Sequence, residues 1–257
     1  MCCEGDGIAT ALWPILGERV WDVRVVTALS AKKSRAFLLS VPEIDSPRRC
    51  PMVVKIYKDE GRAFREAEVL ARLGSAGVPV PGVVGATPTV LLRRYVDGRV
   101  LRDLHWTPVL AEKLATWLHS CHVALGSAHA QDGTLIRTGL VGDMNLGNFV
   151  LDMAQADSRI VCGIDFGDTR PGDPLEDVGE GFMRIFSHRP GYTPARRECA
   201  VAFVREYGRL AGAEDRVWPE VERHAVEAFR KVAVWRGDPS MNDMAEAVGK
   251  MWRSMFL

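Results

Sequence analysis

Three polar residues beside two short apolar runs constrain the fold more than any other part of the sequence. The stretch VGDMNLGNFVLD, residues 141–152, places Asp143 and Asn148 just before the run NFVLD. A second run, RIVCGID, ends at Asp165. Residues 153–158 separate the runs as a polar turn, so the two runs are predicted to pair as an antiparallel hairpin. That pairing would bring two carboxylates and one amide together at one sheet edge.

Such an oxygen-rich site suits Mg²⁺, which binds proteins through one or two carboxylates and completes its shell with phosphate oxygens and water. Phosphoryl transfer also needs an acidic side chain that orients an attacking hydroxyl and accepts its proton. We assign this catalytic role to Asp143 and the metal to Asn148 and Asp165. The sequence therefore predicts a phosphotransferase site.

The spacing D-x-x-x-x-N, followed by a strand-terminal D-F-G, is that of the catalytic and metal loops of protein-kinase-like enzymes. Here the loops read GDMNLGN and IDFG, with GDPLED downstream. Together they resemble the aminoglycoside phosphotransferase and choline-kinase-like families over roughly residues 34–180. The resemblance implies an α+β, bilobal fold, with a small antiparallel β lobe carrying one helix and a larger, mostly helical lobe. It also implies that ATP and Mg²⁺ serve transfer of the γ-phosphate to a hydroxyl of a small molecule.

Two unlike halves follow from the patterns along the chain. Residues 19–57 are strand-like, 62–74 are predicted to be a helix, and strands return before residue 95. A long core helix is predicted after Thr107 as N-cap and Pro108 as first helical residue, and amphipathic helices fill residues 175–257. We therefore expect a β-rich nucleotide-binding lobe over 1–95 and a helical lobe with the catalytic and metal loops over 96–257.

A lysine in an apolar strand is the second chemical signal. Lys55 stands in VVKIY, where a charged residue needs a partner. Glu66 shares a helical face with Leu70 and Leu73, whereas Glu68 lies among arginines, so Glu66 is the predicted partner. The resemblance assigns the ATP phosphates to this pair. The alternative, in which Lys55 reaches solvent along its own stem and Glu66 is a solvated helix charge, stays open.

Further nucleotide contacts rest on weaker signals. The stretch ALSAKKS makes Ser30 and Ser34 candidates for a phosphate-covering loop, although an ordinary polar turn has the same pattern. The resemblance places the nucleotide base against the backbone of residues 93–96, which includes Tyr95. In GDPLED, it makes Asp173 a brace of the catalytic loop and gives Asp177 a similar supporting role. A helix-capping aspartate is the alternative at this position.

One departure from the family pattern opens a second function. Val141 stands where the family has a histidine two residues before the catalytic Asp143, and valine cannot make that side chain's hydrogen bond. A catalytically inactive pseudokinase, acting as a nucleotide-binding or partner-binding module, is therefore the alternative to an enzyme.

Composition limits the partners. The formal net charge is zero and the pI is near 7.0, so no global field recruits nucleic acid or an anionic membrane. The six cysteines include no C-x-x-C pair and no apolar run reaches about 18 residues, so we expect a cytoplasmic protein that does not enter a membrane. Neither the oligomeric state nor the acceptor follows from the sequence. The tryptophans that either line an acceptor pocket or pack helices are Trp218, Trp235 and Trp252.

Overall fold

The computed structural model describes residues 3–29, 34–43, 48–126, 128–129, 135–152, 160–213, 217–237, 243 and 245–249. The predicted turn at 153–158, Ser30 and Trp252 lie outside these residues. The chain divides into two compact units, Met1–Asp97 and Gly98–Leu257.

The first unit is built on one antiparallel sheet. Its strands are β1 (Arg24–Leu29), β2 (Ser34–Pro42), β3 (Arg49–Tyr57), β4 (Val83–Ala86) and β5 (Val90–Arg94). They lie in the order β1-β2-β3-β5-β4, which puts β3 in the centre. Buried and less buried residues alternate along β2 from Phe37 to Val41, whereas the central strand β3 has three consecutive buried residues, Val53, Val54 and Lys55, as expected for a strand that is covered on both faces. The small antiparallel sheet predicted from the sequence is confirmed.

Two helices are described in this unit, whereas the sequence predicted one. Helix α2 (Arg62–Ser75) follows the predicted span of 62–74 closely. Helix α1 (Cys3–Leu16) was not predicted, because Gly5, Gly7 and Pro14 lower its intrinsic helical propensity. The helix is stabilised instead by packing of its apolar residues. Ile8, Leu12 and Leu16 recur every four residues and are buried in one cluster with apolar residues of β2, β3 and β5.

The start of the predicted strand region is also different. Residues Gly17–Asp22 form a 3₁₀ helix, so β1 begins at Arg24 instead of near residue 19. Val20 is buried in the same cluster as α1, which anchors this turn to the core.

The second unit is mostly helical. Its long helices are α3 (Pro108–Leu125), α4 (Pro174–Phe186), α5 (Pro194–Leu210) and α6 (Val217–Arg236). The predicted N-terminus of α3 is confirmed: Pro108 is the first helical residue, and the Thr107 side chain accepts the Leu110 N–H at 3.3 Å. Helix α3 packs on α5, and α4 packs on α5 and α6.

Two small antiparallel sheets complete this unit. Strands β6 (Gly98–Val100), β9 (Phe149–Asp152) and β10 (Ile160–Gly163) pair in the order β10-β9-β6, and the predicted hairpin is the β9–β10 pair. Strands β7 (Ala128–His129), β8 (Leu135–Leu140) and β11 (Arg170–Gly172) form the other sheet in the order β11-β8-β7. Within the described residues, no helix is both long and apolar enough to span a bilayer.

Candidate active site

A buried ion pair joins β3 to α2 in the first unit. Lys55 Nζ lies 2.8 Å and 2.9 Å from the two carboxylate oxygens of Glu66, and the Tyr57 hydroxyl also donates to Glu66. Lys55 is 5% exposed and Glu66 is 1% exposed. The predicted partnership is therefore formed, and the snorkelling alternative for Lys55 is excluded. Leu70 and Leu73 are buried on the same helix face, which is the pattern that pointed to Glu66.

The other residues of this unit that the sequence suggested for nucleotide binding, Ser34 and Tyr95, form no comparable polar cluster among the described contacts. Ser34 is the first residue of β2, opposite Tyr57, and so belongs to a strand instead of a loop tip. Tyr95 is exposed, and its N–H donates to Pro51 O at 3.2 Å. The neighbouring Arg94 N–H donates to Gly82 O. Two backbone donors of the stretch proposed for the nucleotide base are thus engaged within the unit.

The loop between β8 and β9 is folded by its own polar groups. Asp143 Oδ1 accepts the Asn145 N–H at 3.1 Å, and the Asn145 side chain accepts the Gly147 N–H at 3.0 Å. Asn148 Nδ2 donates to the Asp143 carbonyl at 3.3 Å, which closes the D-x-x-x-x-N segment on itself. The D-x-x-x-x-N segment is therefore held by local hydrogen bonds, in which Asp and Asn side chains bind nearby backbone groups as they do in Asx turns.

The glycine that precedes Asp143 is required by this geometry. Gly142 has φ +82°, and a Cβ at this position would lie 2.3 Å from the Asp168 carbonyl oxygen. Only glycine fits both the left-handed backbone and the close approach.

Asn148 and Asp165 come together through the hairpin. Phe149 pairs with Gly163 at the end of the β9–β10 ladder, and Ile164 N–H then donates to Asn148 O at 2.9 Å. Asp165 follows directly, with one carboxylate oxygen accepting the Gly167 N–H at 3.2 Å. Because the Asn148 amide nitrogen is turned to Asp143, its oxygen is the atom presented to a cation.

This donor set fits Mg²⁺. It offers one carboxylate and one amide oxygen, which are hard ligands that leave the remaining positions to phosphate and water. A closed metal cage is absent from the part of the chain that the structure describes, where no three His, Cys, Asp or Glu side chains cluster to hold a metal ion.

A carboxylate on α4 holds the start of the loop. Asp177 accepts the Val141 N–H at 2.7 Å and the Gly142 N–H at 3.1 Å. Val141 is buried, and its apolar side chain makes no hydrogen bond to the loop. The loop is nevertheless fixed through its backbone, immediately before Asp143.

Asp177 is itself supported by a buried histidine that sequence reasoning did not assign to the site. His122 Nε2 lies 3.1 Å from Asp177 Oδ2, and His122 Nδ1 lies 2.8 Å from the Tyr207 hydroxyl. Burial raises the pKa of Tyr207. A signal for this role existed in the sequence, since His122 falls on the apolar face of α3 between Leu118 and Leu125. A polar side chain on a buried face needs a partner.

The resemblance made Asp173 a residue that caps and braces the catalytic loop, and the contacts that the structure describes for it are those of a helix cap. Asp173 is the N-cap of α4, where its side chain accepts the Leu175 N–H and forms a capping box with Glu176. The contacts to the loop belong to Asp177. A hydrogen bond from His224 holds the pKa of Asp173 below its usual value. Through this cap, Asp173 stabilises the start of the helix that carries Asp177.

An arginine beside Asp143 was not predicted either. Arg184 Nη2 lies 3.6 Å from Asp143 Oδ1 and 2.7 Å from Glu180 Oε1, one helical turn earlier on α4. Arg184 also lines a cavity between α4 and α6, together with Trp235. Trp235 is 63% exposed, while Trp218 is partly buried, so of the described candidate tryptophans Trp235 is the one on the cavity wall.

The part of the chain that carries this site matches a known protein family. Residues 137–224, which include the loop, Asp165 and Asp177, match the model of the phosphotransferase enzyme family APH. The resemblance predicted from the sequence is confirmed over this segment. No curated protein matches the chain by sequence.

Solved structures extend the likeness to the whole chain. The amicoumacin kinase hAmiN superposes with a TM-score of 0.67 at 12% identity, over 99% of this chain and 96% of the kinase. Choline kinase from Cryptosporidium parvum Iowa II gives 0.62 at 11% identity, over 97% and 94%. The aminoglycoside phosphotransferase APH(4)-Ia gives 0.57 at 16% identity, over 96% and 97%. The chain has the protein-kinase-like fold. At these identities the likeness establishes the fold and not the substrate.

Proposed function

We propose that this protein is an ATP- and Mg²⁺-dependent phosphotransferase that moves the γ-phosphate of ATP to a hydroxyl group of a small molecule. The buried Lys55–Glu66 pair carries the proposal. Burying a lysine and a glutamate gains little stability over an apolar pair of the same size, because both charges lose their hydration. A fixed ammonium on a central strand is useful where negatively charged phosphates must be held, and Glu66 sets its position.

The residues of the second unit supply the rest of the chemistry. Asp143 orients the acceptor hydroxyl and accepts its proton, while Asn148 and Asp165 hold the metal. Asp177 and His122 keep the loop in place from the core side. Most of the rate enhancement then comes from positioning and charge stabilisation, without a covalent enzyme intermediate. When bound, Mg²⁺ would neutralise charge on the phosphate oxygens.

Neighbouring structures support nucleotide use. The hAmiN structure is a complex with AMP-PNP, Ca²⁺ and Ami, and the APH(4)-Ia structure is a ternary complex with AMP-PNP and hygromycin B. Another neighbour, APH(2")-IIia, is a complex with GDP and kanamycin. On this support, ATP is the donor in the proposed reaction.

The test is transfer of labelled γ-phosphate with Mg²⁺, scanned over aminoglycosides, choline, ethanolamine and simple sugars, with nucleotide binding measured in parallel. Asp143→Ala should lower transfer by a factor of about 10² or more and leave ATP binding nearly unchanged. Asp165→Ala should weaken Mg²⁺-dependent ATP binding. Full activity in Asp143→Ala would overturn the assigned mechanism.

The pseudokinase is the second candidate, and the observation that favours it is Val141 in place of the family's histidine. The assay of phosphate transfer and nucleotide binding distinguishes a pseudokinase from an active kinase. A pseudokinase would bind ATP, or only a partner, and would give no Asp143-dependent hydrolysis or transfer. The two N–H bonds to Asp177 support the enzyme, because they fix the loop that the missing histidine would otherwise hold.

A further inference from the structure

A cavity opens beside the loop that carries Asp143. It lies between α4 and α6 in the second unit, has a volume of about 220 Å³, and includes Gly142 in its wall. Drug-sized ligands typically occupy pockets of about 300–1,000 Å³, so this cavity suits a smaller acceptor. Its wall is strongly charged, and the state of each charge determines what it can bind.

The carboxylates of the wall are already engaged. Glu176 accepts from Arg170 at 2.6 Å, and Glu180 accepts from Arg184 at 2.7 Å and 3.0 Å. Asp177 is occupied by the backbone N–H groups of the loop and by His122.

The fourth carboxylate, Glu227, lies 3.4 Å from Arg223 and 3.7 Å from the His224 ring. Each acidic group of the wall therefore has a donor within 3.5 Å, although Arg223 also pairs with Glu220 and Arg184 also faces Asp143. A polyammonium ligand would have to displace these partners.

Two cations of the cavity wall, Arg184 and Lys231, could meet an acceptor, and Arg184 is the one beside Asp143. Arg184 stands 3.6 Å from Asp143, and Lys231 is on the α6 face of the same cavity, one turn after Glu227. A guanidinium beside Asp143 repels an approaching ammonium and attracts a carboxylate or phosphate. Glu180 binds the Arg184 Nε and Nη2 groups, and Nη1 makes no hydrogen bond to the residues that the structure describes, so this nitrogen is the one offered to an anion.

The geometry points to a small hydroxylated acceptor that carries an anionic group, a carboxylate or a phosphate, bound by Arg184 and Lys231 with its hydroxyl directed to Asp143. This inference rests on the proposed phosphotransferase function and names its acceptor class. In the reaction, the acceptor oxygen bonds to the γ-phosphorus and the bond from that phosphorus to the bridging oxygen breaks. The electron pair stays on ADP, and the hydroxyl proton passes to Asp143.

Compounds of matched size test how the charge of the acceptor affects its binding and its phosphorylation. The compounds 4-hydroxybutyrate, 1,4-butanediol and 4-amino-1-butanol differ only in their second end group, which is anionic, neutral or cationic. Glycerol 3-phosphate against glycerol separates a phosphate from a carboxylate requirement. Phosphate transfer with ATP and Mg²⁺ gives kcat/KM, and calorimetric binding without ATP gives a readout that does not depend on catalysis.

We expect at least one anionic probe to exceed its neutral match about tenfold or more in binding and in kcat/KM, with the amine below both. Arg184→Met and Lys231→Met should each reduce this preference several-fold. The matched control is Arg209→Met, since Arg209 makes a similar pair with Glu206 at 2.7 Å and 2.8 Å on α5, away from the cavity wall.

Binding that is equal for all charges, or strongest for the amine, would overturn the inference, as would absence of binding by every anionic probe. These outcomes are distinct from failure of the proposed function. That failure would appear as no ATP binding and no Asp143-dependent ATP hydrolysis, whatever the probes do.

Discussion

His122 Nε2 lies 3.1 Å from the same Asp177 oxygen that accepts the Val141 N–H at 2.7 Å. One carboxylate thus connects α3 to the backbone that leads into Asp143. His122 is wholly buried and Asp177 almost so. The loop is therefore positioned by the interior of the second unit.

Removing this carboxylate should be costly. Asp177→Ala leaves two backbone N–H groups and the His122 ring without their acceptor, so we expect a loss of about 3 kcal/mol or more in the free energy of unfolding. Asp177→Asn keeps one acceptor oxygen and should lose less. Urea denaturation followed by circular dichroism measures both. A loss below about 1 kcal/mol in the alanine variant would show that water replaces the carboxylate.

The tyrosine behind His122 should contribute through its hydroxyl alone. Tyr207→Phe removes the group 2.8 Å from His122 Nδ1 and leaves that buried nitrogen without its partner. We expect a loss of about 1–2 kcal/mol in unfolding free energy. In a His122→Leu background the same change should cost less than about 0.5 kcal/mol, because the interaction is already gone. Equal losses in both backgrounds would mean that the hydroxyl acts elsewhere.

Variants of the Lys55–Glu66 pair should affect ATP binding and the free energy of unfolding in different ways. Lys55→Met leaves Glu66 charged and buried, so about 3–5 kcal/mol of unfolding free energy is expected to be lost, together with most ATP affinity. Adding Glu66→Leu should restore much of the stability and none of the affinity. Lys58→Met, three residues along and exposed, is the control that should alter neither. Denaturant titration and nucleotide binding give the two readouts.

Two glycines with similar backbones offer a matched test of the loop. Gly77 has φ +76° with open space where a Cβ would lie, whereas Gly142 has φ +82° and meets the Asp168 carbonyl. Alanine at Gly77 should cost about 1–2 kcal/mol from backbone strain alone. Gly142→Ala should cost more and lower phosphate transfer about tenfold or more, because Asp143 must shift. Equal effects at both sites would show that the loop absorbs the clash.

The cap of α4 should show a pH-dependent contribution. Asp173 has its pKa lowered in the fold, so its charge stabilises the protein above the ordinary aspartate pKa, and this contribution disappears as the pH falls through the lowered value. Asp173→Asn keeps a good N-cap but removes the charge, and Asp173→Ala should cost about 1 kcal/mol more. Urea denaturation between pH 7 and pH 3 should show wild type and Asn variant converging at low pH. A constant difference would assign the effect to the cap.

The sequence predicted what depends on local pattern. Thr107 and Pro108 mark the start of α3, and Leu70 and Leu73 identify the face on which Glu66 is buried. Fixed spacing was sufficient for Asp143 and Asn148, because the loop between them is closed by their own hydrogen bonds. The roles of these residues in catalysis stay predictions.

What depends on residues distant in sequence could not be predicted. His122 and Tyr207 are 85 residues apart, and only the packing of α3 on α5 brings them together. Arg184 lies near Asp143 because α4 packs against β8 and binds the backbone that follows it, and nothing in the sequence around Arg184 indicates this. Helix α1 forms despite weak propensity because its apolar stripe covers the sheet.

The two amides bound by Asp177 belong to a connecting segment, and segments of that kind usually exchange their hydrogens with solvent quickly. Here both N–H groups donate to the Asp177 carboxylate, which is buried on α4 and also contacts His122 of α3. Their hydrogens should therefore exchange at the slow rate of the surrounding helices. Protection in this segment would report the integrity of the whole second unit, which makes it a natural probe of whether a variant has lost only chemistry or the fold itself.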